Sequence, residues 1–144
     1  MNLSSTASMA RVRAFALTAF TAIATACSSA SSSTTGQLPV TVTSDSGSLH
    51  VELSASPPPI VGTNRMELTV TRASSGAPLD GLSVSVVPWM PSMDHGTASP
   101  TVTAEGGGKY AVTDLYFFMP GTWVLKTTLA GPVSDHAEPT FELQ

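Results

Sequence analysis

The chain has 144 residues, of which 42 % are hydrophobic and 11 % charged, with a formal net charge of −4 and a single cysteine. One cysteine excludes an intrachain disulfide, so stability has to come from packing. Beyond residue 27, four basic residues (Arg65, Arg72, Lys109, Lys126) stand against ten acidic ones with no basic cluster, which argues against nucleic acid or anionic lipid as a partner.

At the N-terminus, Arg11 and Arg13 precede an uncharged run of 13 residues, Ala14 to Ala26, and then Cys27. A basic stretch, a short apolar run and small residues before a break describe a secretory signal. The run is shorter than the roughly 20 apolar residues a bilayer span needs. Met9, just before the basic residues, is an alternative start. "A-T-A-C" resembles a bacterial lipobox, although leucine is more usual at its first position. Residues 1–27 are therefore expected to be a lipoprotein signal peptide with a lipidated Cys27. The competing reading is an ordinary signal cut nearby, leaving a free thiol. Ser28 after the cysteine, where aspartate would retain a lipoprotein in the inner membrane, implies an outer-membrane anchor facing the periplasm. Residues 28–37 form a Ser/Thr-rich linker, and residues 38–144 are long enough for one domain with a core.

Within that domain, period-2 alternation predicts strands and nothing predicts a helix. Short candidates lie at 38–43, 100–105 and 139–143. "LHVELSA" turns Leu49, Val51, Leu53 and Ala55 to one face, and "RMELTVTR" does the same with Met66, Leu68 and Val70. "LSVSVVPW" alternates through Leu82, Val84 and Val86 and then loses the pattern at Val87 and Pro88. "KYAVTDLYF" follows, and "TWVLKTTLA" places Trp123, Leu125, Thr127 and Leu129 together. Between these runs stand "SPPPIVGTN", "SSGAPLDG", "EGGG", "MPGT" and "AGPVSD", all rich in turn formers. Seven or eight short strands at even spacing predict an all-β fold, a single immunoglobulin-like antiparallel β-sandwich of about seven strands.

Catalysis finds little support. The chain has neither a Gly-x-Ser-x-Gly elbow nor a phosphate-cradling glycine loop, and "EGGG" sits between two strands as a hairpin turn. Asp94-His95 and Asp135-His136 are adjacent pairs, and neighbours on an extended chain point to opposite sides. The protein is expected not to be an enzyme.

"PWMPSMDHGT" raises a different chemistry by setting Met90, Met93 and His95 around one turn. Thioether sulfur is a soft, neutral ligand suited to Cu(I), and imidazole suits copper in either oxidation state. Met119, in "FFMPGTW", would complete the set if the two "MP" turns meet at one end of the sandwich. His50 and His136 are further candidates without a spacing argument. The alternative is that the methionines are core filler.

Three stretches, "PPPIVGTNRMELTV", "GLSVSVVPWMPSMDHGT" and "GGGKYAVTDLYFFMPGTWVLKTTL", resemble the YtkA-like domain, related to FixH-type proteins, over roughly residues 48–130. The resemblance implies an immunoglobulin-like sandwich outside the cytoplasm, held by lipid or a helix. FixH relatives are tied to assembly of a copper-containing terminal oxidase, and the motif positions map onto Met90, Met93, His95 and Met119. Asp94 departs from the pattern, where a small residue is frequent, and a membrane helix is missing from this sequence. The expected function is a lipid-anchored copper-binding protein acting as chaperone or accessory factor. The alternative is a metal-free accessory domain that presents its apolar loops, including Trp89 and Phe118, to a membrane protein.

Overall fold

The alternating runs become two antiparallel sheets that face one another. A computed structural model describes residues 37–144; the signal segment, Cys27 and the linker through residue 36 lie outside the described residues. One sheet has the order β1-β2-β3-β7-β6, formed by β1 (Val40–Thr43), β2 (Leu49–Ser54), β3 (Gly62–Arg72), β6 (Thr101–Gly106) and β7 (Lys109–Phe117). The other has the order β10-β8-β4-β5, formed by β4 (Ser83–Met90), β5 (His95–Gly96), β8 (Gly121–Ala130) and β10 (Thr140–Leu143). A further short strand, β9 (Asp135–Ala137), also pairs with β8. Every pairing is antiparallel, so the fold is an all-β sandwich. The eight expected strands are joined by β5 and β9, which are too short to show a period.

Burial follows the predicted phase. Leu49, Val51 and Leu53 of β2 meet Met66, Leu68 and Val70 of β3 on the inner face, opposite Trp123, Leu125 and Leu129 of β8. Two local departures shape the end where β7 passes into β8. In β4 the alternation does not stop at Val87: Pro88 and Met90 are buried while Val87 is exposed, so the inward phase runs on to the end of the strand. In β7, Asn64 pairs with Leu115 but Met66 with Val112, so a bulge adds one residue, and Asp114 adopts φ 60° within it. The bulge shifts the phase, so that Tyr110 and Val112 before it and Leu115 and Phe117 after it all face the core.

The glycine run closes the β6–β7 hairpin. Gly108 has φ +75°, and a Cβ there would press on Val70 O and on Pro78 Cβ at 3.0 Å. The 73–82 loop is held over this hairpin by Tyr110, whose buried hydroxyl donates to Leu79 O (2.9 Å) and accepts from Leu82 N (3.3 Å).

A buried carboxylate organises the turn between β1 and β2. Asp135 is 6 % exposed. Its Oδ1 accepts from Ser46 N (3.1 Å) and His136 N (2.9 Å), and its Oδ2 from the hydroxyls of Ser46 (2.5 Å) and Ser48 (3.3 Å). Burial by itself would push this carboxyl's pKa up. The Ser44 and Ser46 hydroxyls, with the backbone N–H groups of His136 and Ser46, outweigh it and hold the group well below the usual carboxylate range. The His136 ring turns elsewhere, its Nδ1 lying 3.3 Å from Thr128 Oγ1.

Candidate metal centre

At the end of the sandwich where β4 and β7 finish, the two "MP" turns lie together. Pro91–Met93 forms a 3₁₀ turn, and Asp94 ends it in the left-handed conformation at φ 53° with its N–H on Pro91 O. That reversal lets β5 fold back on β4, pairing His95 with Met90 and Gly96 with Trp89. Gly96 is required by close approach: a Cβ would collide with Pro88 O and crowd the Trp89 ring at 3.2 Å. Thr97 N then bonds Pro88 O (3.2 Å), and Thr97 Oγ1 donates to Tyr116 O (2.9 Å), tying this turn to β7.

An aromatic chain joins the two turns. The His95 ring lies flat on Phe118, with centroids 5.0 Å apart and planes within 8°. Phe118 meets Trp123 edge-on at 5.0 Å, and Trp123 Nε1 donates to Met119 O (3.1 Å). Trp89, on the outer face, lies under the Lys126 ammonium at 3.9 Å.

The four candidate side chains divide into two kinds. Met93 and Met119 are exposed, at 51 % and 37 %, on the two turns. Met90 is buried at 2 % and belongs to the core, with its Cε 3.5 Å from the position of a Cβ on Gly121, two residues after Met119. As cross-strand partners, Met90 and His95 leave the same face of their sheet, with Cβ atoms about 5 Å apart by general strand geometry. His95 itself is exposed, and its Nδ1 lies 3.2 Å from Met93 O. A carbonyl can only accept, so the tautomer that makes this hydrogen bond has its proton on Nδ1 and offers the Nε2 lone pair to a ligand. An imidazole tied at one nitrogen by a backbone carbonyl is the usual arrangement of a metal-binding histidine.

The other two histidines lie elsewhere, His50 against Thr43 Oγ1 and His136 on β9. Among the described residues, no three of His, Cys, Asp and Glu gather closely enough to hold a metal. A ligand set at the loop end would therefore include thioether sulfur, and the donors present fit a soft, low-charge cation better than zinc or calcium. The Asp135 cluster went unread in the sequence. Ser46 and Ser48 stand 89 and 87 residues from the carboxylate, and no short-range signal links them to it.

Two antiparallel sheets with a methionine- and histidine-bearing turn at one end define a small all-β sandwich domain. The chain belongs to the YtkA-like family, which it matches over residues 43–128, from the end of β1 into β8. No curated protein and no solved structure gives a significant match to the chain.

Proposed function

We propose that this protein is an exported, lipid-anchored binding module, not a catalyst, that holds copper, preferentially Cu(I), at its loop end. His95 Nε2 and the sulfurs of Met93 and Met119 are the accessible ligands. Met90, buried with its Cε beside Gly121, would be the fourth donor. When bound, the metal supplies a soft cation that neutral ligands hold and release outside the cytoplasm, suiting copper handling or oxidase assembly.

The observation that carries this reading is the geometry of His95. Its ring is stacked on Phe118, its Nδ1 lies 3.2 Å from Met93 O, and the two turns that this ring joins carry the exposed thioethers of Met93 and Met119. Core filler would explain Met90 but not Met93. The anchor at Cys27 and the periplasmic, outer-membrane location belong to the same proposal and rest on the sequence before residue 37.

The test is a Cu(I) competition titration of the mature chain against Zn(II). Soft ligands predict Cu(I) tighter than Zn(II) by at least about a hundredfold, with Met93→Leu and His95→Ala each weakening Cu(I) by about tenfold or more. Equal affinity for the two ions, or an unchanged Met93→Leu variant, overturns the assignment.

A further inference from the structure

The loop end carries more exposed apolar surface than a metal site needs, and the chain enters the domain there. Ile60 and Val61 are exposed at 64 % and 43 % yet can ligate nothing. They precede Gly62, which pairs with Phe117, so they stand beside the Phe118–Pro120 turn. Their loop is held in place by Asn64. Its Oδ1 accepts from Ile60 N (2.8 Å), and its Nδ2 donates to Ile60 O (2.7 Å) and Gly62 O (2.8 Å). Met93 and Met119 are also carried on turns with tied backbones. Three loops thus present apolar tips from one end of the sandwich.

Charge selects among surfaces that could receive these tips. Segments 55–61, 91–97 and 116–122 contain no lysine or arginine; Asp94 is their one acidic residue, and Glu142 stands beside them on Thr122. Anionic headgroups find no partner there, whereas a zwitterionic or apolar layer does. Position selects further. Gln37 and Leu38 line an open groove together with Ala55, Pro58, Pro59, Glu142 and Gln144, so the polypeptide reaches the fold at this same end. Between Cys27 and that point lie nine residues, 28–36, which span at most about 30 Å. A lipid on Cys27 would therefore keep the loop end within that distance of the bilayer, at an effective concentration high enough for weak apolar contacts to matter.

We infer that the loop end is a lipid-docking face: Ile60 and Val61, flanked by Met93 and Met119, rest on the neutral membrane surface to which the chain is tethered. This rests on the lipid-anchor reading of Cys27 and is independent of copper. Met93 and Met119 serve both readings, so the test uses the two aliphatic residues.

The full-length chain, carrying Ile60→Trp or, at the opposite end, Ser74→Trp, is reconstituted in phosphatidylcholine vesicles with brominated acyl chains, and the native tryptophan signal is subtracted. Docking predicts quenching at least about twofold stronger for the Ile60→Trp chain, reduced by half or more when Val61→Asp is added. Equal quenching of the two probes in a chain that floats with the vesicles overturns docking while leaving the anchor intact, and reassigns the tips to a protein partner. A chain that does not float at all refutes the anchor and docking together. Quenching that rises about twofold with added phosphatidylglycerol overturns the proposal in favour of a charge-driven contact.

Discussion

Replacing Asp135 by asparagine probes the polar cluster with almost no change in shape. The asparagine oxygen can keep the two backbone donors on the Oδ1 side, Ser46 N and His136 N, but as neutral hydrogen bonds. On the Oδ2 side, an amide now faces the Ser46 and Ser48 hydroxyls, which must rotate to accept. A hydrogen bond to a charged group contributes about 1.5–3 kcal/mol and a neutral one about 1, so the expected loss is about 2–3 kcal/mol. For a domain of this size that lowers Tm by roughly 8–15 °C at pH 7. The carboxyl's folded pKa is depressed. Its contribution is therefore fully present above the unfolded value of about 4 and disappears as pH falls through the folded value. The difference in Tm between wild type and Asp135→Asn should stay constant from neutral pH to about 5 and then narrow progressively with acid. All other carboxylates are common to both proteins, so the difference isolates this one. Scanning calorimetry across that range is the assay. A gap absent at pH 7, or equally wide in strong acid, refutes the charge-assisted account.

Tyr110→Phe removes the hydroxyl from Leu79 O and Leu82 N and should cost about 1–3 kcal/mol in chemical denaturation, with the m-value unchanged. Gly96→Ala forces a Cβ into Pro88 O, separates β5 from β4 and should destabilise the domain by about 1–3 kcal/mol. It should also displace His95 from Phe118, read as a change in the His95 ring-proton shifts. If Cys27 carries the proposed lipid anchor, Cys27→Ser should abolish fatty-acid labelling and membrane association. A variant still found in the membrane pellet, with an unlabelled wild type, would show that the cysteine is not the anchor.

The parts of the fold legible in the sequence are those where one face of a strand is buried throughout. In β2 and β3 the alternation of Leu, Val and Met with polar residues matches the observed burial, and β8 follows it except that Val124 is buried on the other face. Reading failed where the phase depended on backbone detail. The bulge at Asp114 and the inward turn of Pro88 and Met90 follow from pairing with β3 and β8, which local composition does not encode. Met90 illustrates the consequence: spacing groups it with Met93 and His95, while burial sets it apart in the core. The meeting of the two "MP" turns was conditional in the sequence and required the β7–β8 connection to place Phe118 under His95.

Pro88 carries a consequence for how these molecules behave in a crowd. Its carbonyl accepts from Thr97 N on the side of β4 away from β8, and by the two-residue alternation of a strand Val84 and Val86 turn their backbone groups to the same rim. Among the described residues, strand pairing on that rim covers only Trp89 and Met90. A continuous row of donors and acceptors would invite a neighbouring chain to zip on, but the imino acid breaks the row by lacking an N–H. Two residues of β5 and one proline thus interrupt that rim, and any residue able to donate at position 88 should make concentrated protein stickier.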